Sequence, residues 1–164
     1  LAVVEIRLAH LDDAEAIRTI YNVEVSTSTV TFDLVPRTPD DQVNWLQARS
    51  GAHAVIVAEE AGEVVGFGSL SPFRDRPAYH GTVENSVYVR GDHRGKRVGR
   101  QLVAELIELA GQHGFHTVIA RIVGGHDASI GLHQSLGFVE IGTEREVGRK
   151  FGTWLDVVVM QRML

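Results

Sequence analysis

Thr82–Val103 reads TVENSVYVRGDHRGKRVGRQLV, and this stretch decides the fold. Val83, Val87 and Val89 are β-branched and Tyr88 is aromatic, so its first third suits the pleated surface of a strand. Arg90-Gly91-Asp92-His93-Arg94-Gly95-Lys96 then turns polar and glycine-bearing. From Val98 onward, Leu102, Val103, Leu106, Ile107 and Leu109-Ala110 recur at helical spacing. The order is strand, basic loop, helix. A helix start has backbone N–H groups without intrahelical partners and a partial positive charge. Gly95 and Gly99 let a ligand approach that backbone, and Arg94, Lys96, Arg97 and Arg100 add cations. Such a constellation can hold a phosphate or pyrophosphate. The same residues fit a plain turn with a solvated, basic helix start, and spacing alone does not choose between the two.

Upstream, Val3, Val4, Ile6 and Leu8 predict a first strand. Leu11-Asp12-Asp13-Ala14-Glu15 predicts a helix start capped by Asp12, with Glu15 three residues on. Ala14, Ile17, Ile20, Tyr21 and Val25 form its apolar face, which fades through Ser26-Thr27-Ser28-Thr29. Thr38 and Pro39 open a second helix, which carries Val43, Trp45 and Leu46 and stops near Ser50-Gly51. His53–Glu59 and Val64–Leu70 read as a hairpin joined through Ala61-Gly62. Gly66 and Gly68 inside its second strand mark a close backbone approach.

Downstream, Gly111-Gln112-His113-Gly114 ends the central helix. Thr117–Val123 is an apolar strand broken only by Arg121. Gly124-Gly125-His126-Asp127 leads into a short helix, Ala128–Leu136, which Gly137 ends. Phe138–Ile141 starts another strand, Val147–Phe151 is a loop or a bent strand, and Trp154–Met163 is the last strand. The sum is seven strands and four helices in an α/β sheet with both parallel and antiparallel pairs.

At 164 residues the chain fits one domain, residues 1–164, able to bury roughly 70% of its unfolded surface. A net charge of −5 argues against a general nucleic-acid binder. The basic loop is a local patch on an acidic protein, which suits a small anionic ligand. There is no cysteine, which excludes disulfides, a thiol nucleophile and thiolate metal sites and is compatible with the cytoplasm. The eight histidines are scattered, so no metal is expected. No apolar run approaches the ~20 residues that span a bilayer, so no membrane partner is expected. Glu5, Arg7 and His10 interrupt Leu1–His10, and no signal peptide is expected there.

Arg94-Gly95-Lys96-Arg97-Val98-Gly99 resembles the acetyl-CoA signature of the GNAT N-acetyltransferases, Q/R-x-x-G-x-G/A. Arg94 and Gly99 match, and Arg97 stands at the usual middle glycine. An L-residue can still offer its N–H to pyrophosphate there if φ stays negative. The similarity continues through TVENSVYV, ASIGLHQSLGF (Ala128–Phe138) and KFGTWLDVVVMQ (Lys150–Gln161), nearly the whole chain. These stretches resemble the phosphinothricin and methionine sulfoximine acetyltransferases.

The resemblance implies the GNAT fold, a mixed, mostly antiparallel sheet of about seven strands with about four helices. Its fourth strand, through Val83–Val89, and its fifth, Thr117–Val123, run parallel and splay apart. A splay leaves main-chain groups unpaired, and a pantetheine arm can pair with them like an inserted strand. The implied reaction moves acetyl from acetyl-CoA to the primary amine of a small amino-acid-like substrate: phosphinothricin, methionine sulfoximine or methionine sulfone. Another amine (an aminoglycoside, a polyamine, a protein N-terminus) and a non-catalytic acetyl-CoA-binding module are the alternatives. A cytoplasmic homodimer with a role in antibiotic or herbicide resistance is also implied.

The resemblance further implies cofactor contacts at Val87, Tyr88, Val89, Arg94, Gly95, Lys96, Arg97, Val98, Gly99, Arg100, His126 and Ser129. It implies substrate contacts at Phe32, Arg74, Asp75, Arg76, Tyr79, Glu84, Asn85 and Ser86. Glu84 aligns with the family's general base, acting directly or through water, and burial would raise its pKa. Without the resemblance Glu84 reads more readily as a strand glutamate paired with an arginine. The Val89 N–H is the expected oxyanion donor. His133 stands where many members place a tyrosine, and either donates a proton to the leaving thiolate or packs against the cofactor arm. His126 replaces an asparagine that bonds pantetheine, and Ser129 is a ligand contact or a helix cap. Phe32 is a core plug or a pocket wall. Arg74 and Arg76 belong to a solvated loop or grip a carboxylate or phosphinate. Trp154, in the loop that closes the pocket, is core, pocket or interface, with packing the simplest account.

Overall fold

A computed structural model describes residues 2–49 and 51–164. Leu1, and Ser50 at the expected end of the second helix, lie outside the described residues. Along the chain come β1 (Glu5–Leu8), α1 (Ala14–Thr27), α2 (Pro39–Gln47), β2 (Val55–Glu60), β3 (Glu63–Pro72) and β4 (Thr82–Val89). Then follow α3 (Val98–Gln112), β5 (Thr117–Val123), α4 (Asp127–Ser135), β6 (Val139–Lys150) and β7 (Thr153–Met163). The strands form one sheet in the order β1-β2-β3-β4-β5-β7-β6. β4 and β5 run parallel, and the other neighbouring pairs are antiparallel. No helix among the described residues is long and apolar enough to cross a membrane.

Local chemistry sets several of these boundaries. The Asp41 N–H donates to Thr38 Oγ1 at 3.1 Å and the Thr38 N–H donates to Asp41 Oδ2 at 2.9 Å, a reciprocal cap with Pro39 in the first turn. The entry to α1 differs from the expected Asp12 cap. Leu11–Asp13 form a short 3-10 turn, and the carboxylate of Asp13 accepts from the His10 N–H at 2.7 Å. The same carboxylate takes two bonds from Arg7, so the tertiary ion pair decides which aspartate turns inward. At the β2–β3 turn, Ala61 and Gly62 both have positive φ, the geometry a two-residue hairpin loop requires. β6 is one bent strand with two register breaks, between Glu140 and Gly142 and between Glu144 and Gly148. The bends and the charges of Glu140, Glu144, Glu146 and Arg149 disfavour backbone strand pairing along this edge.

The core has two layers. On one face α3 buries Val98, Leu102, Val103, Leu106 and Ala110 against Ile56, Leu70, Val83, Val118, Ala120 and Met160. On the other, α1 and α2 bury Ile17, Ile20, Tyr21, Val25 and Leu46 against Val55, Val57 and Phe67. Side chains alternate along β4. Val83, Asn85, Val87 and Val89 turn toward α3. Glu84, Ser86 and Tyr88 turn toward α1, where Tyr88 meets Tyr21 and Phe67, each at 5.2 Å between ring centroids.

The expected close approach at the β3 glycines is present. A Cβ on Gly68 would lie 3.0 Å from Leu106 Cδ1, 3.1 Å from Val87 Cγ1 and 3.2 Å from the Ser86 carbonyl. Gly68→Val is therefore expected to lower unfolding free energy by about 1–3 kcal/mol, because the overpacked α3 and β4 must move. Gly142→Ala, where an added Cβ meets no described atom within 4 Å, is expected to stay within about 0.5 kcal/mol. Urea unfolding of the two variants reads the difference.

Candidate active site

β4 and β5 pair at Thr82↔Thr117, Val83↔Val118 and Glu84↔Ile119, and then separate while both strands continue. The Arg90 N–H donates to the Val65 carbonyl on β3 at 2.8 Å. The β3–β4 register is unbroken, so period-2 alternation turns the N–H and C=O of Val87 and Val89 the other way, into the open seam. A cavity of about 580 Å³ occupies the opening. It reaches from Gly95, Arg97 and Gly99 at the start of α3 to Asn85 and His133 where the strands close. Its lining also includes Ser86 and Arg121, which belong to the opposite face of the sheet. The cavity thus follows consecutive residues of both parted strands, 85–89 and 120–123.

The loop into α3 does not meet the condition read for Arg97. Its φ is +67°, the left-handed region, and not a negative angle. The residue keeps the glycine-like backbone despite its side chain. Gly95, at φ +74°, turns the same way. Ion pairs fix the loop to the body. His93 is buried between Glu60 Oε2 at 2.6 Å and Asp92 Oδ1 at 2.9 Å, and these two carboxylates, Asp92 foremost, raise its pKa. Arg94 pairs with Glu24, a carboxylate only 5% exposed on α1. Arg100 bonds Ser135 and links α3 to α4. Lys96 and Arg97 point to solvent, and Lys96 is outside the cavity lining. Val98 is a core residue whose contribution to a ligand is confined to its backbone.

Where the strands close, one carbonyl dictates a chain of polarity. The Ser129 carbonyl can only accept, so His133 Nδ1, 2.8 Å away, carries the proton. Burial lowers the His133 pKa, so the ring is neutral and its Nε2 accepts. Asn85 Nδ2, 3.1 Å away, must then be the donor. This leaves Asn85 Oδ1 buried and without a hydrogen-bond partner among the described residues. Asn85 lines the cavity, so the arrangement holds a lone acceptor at its closed end. His133 has no proton on the nitrogen that faces Asn85, and of the two roles read for it in the sequence this geometry does not supply the proton donor. Ser129 lines the cavity and does not cap α4, whose N-cap is His126. His126 also lines the cavity, with its pKa lowered by burial and by Arg94.

Glu84 faces the opposite side of the sheet from Asn85, at the last paired position, and is not among the residues that line the cavity. Burial pushes its carboxyl up; Arg121 opposes the shift and Glu144 adds to it. Arg121 donates from Nε and Nη2 to Glu144 Oε1 at 3.1 and 2.6 Å.

The remaining expected substrate residues are not gathered around the seam. Arg74, Asp75 and Tyr79 line a separate cavity of about 360 Å³ with His53, His80 and Thr82. Arg74 stacks on Phe73 and Tyr79, and Arg76 is exposed. Phe32, 39% exposed, is no core plug: its ring lies on Gly148, where a Cβ would come within 2.3 Å. Trp154 is 56% exposed beside Arg149, which corrects the packing account. Sequence reasoning missed Glu24, His93, Arg121 and Glu144. Arg121 was visible as the one charge in an apolar strand, and Glu24 as an acid on the apolar face of α1.

The acetyltransferase (GNAT) family profile matches residues 16–138. An L-methionine sulfoximine/L-methionine sulfone acetyltransferase of Pseudomonas aeruginosa is 42% identical over 158 residues, covering 95% of this chain and 92% of that protein. The crystal structure of a ribosomal-protein-alanine N-acetyltransferase from Brucella melitensis has a TM-score of 0.96 at 42% identity, covering 98% of this chain and 99% of that one. A phosphinothricin acetyltransferase from Sinorhizobium meliloti, in complex with AcCoA, has a TM-score of 0.94 at 36% identity, covering 98% and 88%.

A left-handed L-residue costs about 1–2 kcal/mol, part of which glycine returns as unfolded-chain entropy. Arg97→Gly is thus expected to raise unfolding free energy by up to about 1 kcal/mol. Arg97→Ala keeps the strain and is expected to leave it unchanged. Chemical denaturation of both variants checks the assignment of φ.

Proposed function

The chain belongs to the acetyltransferase (GNAT) family, and from that premise we propose that it transfers acetyl from acetyl-CoA to the primary amine of a small amino-acid-like substrate. Methionine sulfoximine, methionine sulfone and phosphinothricin are the substrate type. The observation that carries this is the seam itself: a cavity runs from the α3 start between the parted strands to Asn85 and His133, next to Glu84 at the last paired position.

The residues present fit acetyl-CoA. Val87 and Val89 offer strand-like pairing to the pantetheine arm, and the buried Asn85 Oδ1 awaits a donor. Gly95, Gly99 and the first N–H groups of α3 would hold the pyrophosphate, with Arg94, Arg97 and Arg100 as neighbouring cations. Bound there, acetyl-CoA supplies the acyl group in activated form as a thioester. Glu84 takes the proton from the substrate amine, directly or through water. Its raised pKa brings it nearer to neutral pH, which favours a general base. The Val89 N–H supplies a fixed donor in the seam where negative charge develops. His133 orients Asn85 and delivers no proton. A thiol with an ordinary pKa near ~8.5 can leave without one.

The likeness to the Brucella enzyme favours a second reading, acetylation of a protein N-terminus. The chain is also proposed to be a homodimer. Val139, Ile141, Val147, Phe151 and Trp154 are exposed on β6 and around its turn, and a second copy would cover them. Light scattering that finds a monomer at micromolar concentration overturns the dimer.

A thiol-release assay with acetyl-CoA and a panel of amino acids, amines and alanine-led peptides tests the activity. Turnover of methionine sulfone or phosphinothricin is expected, and release with none of the panel rejects the reading. Glu84→Gln is expected to cut kcat roughly 10²- to 10⁴-fold with coenzyme A affinity unchanged. Glu84 works as its carboxylate, so kcat/KM should fall as pH drops. The midpoint is expected above the ordinary glutamate value of about 4.3, because burial raises the pKa.

A further inference from the structure

We propose that Arg121 binds the carboxylate of the substrate and makes the site selective for free amino acids over amines and peptide termini that lack one. The inference rests on the acetyltransfer reading and deepens it.

β5 reads TVIARIV, and Arg121 is its one charge. Val118, Ala120 and Ile122 face the α3 core, so alternation puts Ile119 and Arg121 on the opposite face, with Glu84. Ile119 is the partner of Glu84 in the last paired position. Arg121 stands two residues further along, on the first stretch of open seam. It lines the cavity and is electrostatically coupled to Glu84. No helix among the described residues packs over this part of the face, since α1 and α2 bury their apolar sides against β2 and β3.

The guanidinium is oriented and only partly engaged. Its Nε and Nη2 both donate to one oxygen of Glu144, which reaches it from β6 across β7. Among the described residues Nη1 has no acceptor, so the Nη1/Nη2 edge of the fork remains open to a second carboxylate. Glu144 fixes the plane of the group and offsets part of its charge.

The charge pattern fits a zwitterion. An α-amino acid carries an ammonium and a carboxylate on one carbon, and Glu84 and Arg121 offer the opposite charges side by side. An amine without the carboxylate would instead bring its ammonium against an uncompensated guanidinium, which disfavours it. An ion pair this exposed adds little to stability, so structural support alone is a weak account of an arginine here.

The test compares methionine sulfone with its carboxamide and with an alanine-led peptide, in the full-length protein and in Arg121→Ala, Arg121→Lys and Glu144→Gln. The wild type is expected to prefer the free acid. Arg121→Ala should raise KM and lower kcat/KM for it roughly 10- to 100-fold while the carboxamide rate holds or rises. Arg121→Lys should fall between, because it keeps the charge and loses the fork. Glu144→Gln should lower KM for the free acid. Calorimetry should show weaker binding of methionine sulfone to the Arg121→Ala protein with coenzyme A affinity unchanged. Arg121 and Glu144 are the charged groups that act on Glu84, with opposite signs. The acid limb of kcat/KM for the carboxamide should therefore move up in Arg121→Ala and down in Glu144→Gln. Equal losses on acid and carboxamide, or no loss on either, overturn the inference while the acetyltransfer reading stands. A wild type inactive on every amine rejects the acetyltransfer reading instead, and a wild type that prefers the peptide rejects the role of Arg121.

Discussion

The structure depends on the place where two parallel strands stop pairing. β4 and β5 are held together through Glu84↔Ile119 and then part. Buried backbone groups without partners are costly, so a sheet that leaves Val87 and Val89 unpaired at its centre demands a reason. The reason is supplied by what surrounds the opening. A cavity fills it, a helix start closes one end, and a buried amide oxygen marks the other. Because side chains alternate along each strand, the opening meets Asn85 and His133 on one side of the sheet and Ser86 and Arg121 on the other.

The seam is held open by packing on one side and by charge on the other. α3 sits close to β3 because Gly66 and Gly68 carry no Cβ, and this fixes the helix start beside Val89. The loop between β4 and α3 is tied to β2 through His93 and Glu60, and to α1 through Arg94 and Glu24. Both ties draw the basic loop inward, so part of its cationic charge is structural. The backbone N–H groups of the helix start, with Arg97 and Arg100 at the cavity, remain for an anion. The left-handed backbone at Arg97 belongs to the same construction. The chain turns into α3 through a conformation that glycine adopts more cheaply, and the surrounding contacts hold an arginine in it.

Much of the fold was legible in the sequence. Thr38 with Asp41, the Ala61-Gly62 turn, the paired β3 glycines and the apolar faces of α1 and α3 each announce themselves within a few residues. Part of the candidate site was legible as well: the basic glycine loop, Glu84 on the central strand and His133 on the following helix. Their roles were not. His133 read as either a proton donor or a packing residue, and the Ser129 carbonyl places its proton on Nδ1. Arg74 and Asp75 looked like part of one substrate pocket, and they line a cavity of their own. Trp154 looked like packing and stands in solvent, because β6 is the edge of the sheet and leaves one side of the turn uncovered.

By itself the sequence determined the order of elements, the family likeness and the basic, glycine-bearing character of the loop before α3, all of which are written in neighbouring residues. Only the tertiary structure decided the sign of φ at Arg97, the polarity of Asn85 and the partners of the charges. The physical reason is distance along the chain. Arg121 and Glu144 are 23 residues apart, Asn85 and His133 are 48, and Arg94 and Glu24 are 70. Nothing in the local pattern around any of these residues specifies its partner. Each pairing exists because a strand order, a register and a helix position bring two distant side chains to the same few ångströms, and the chemistry of the site follows from those meetings.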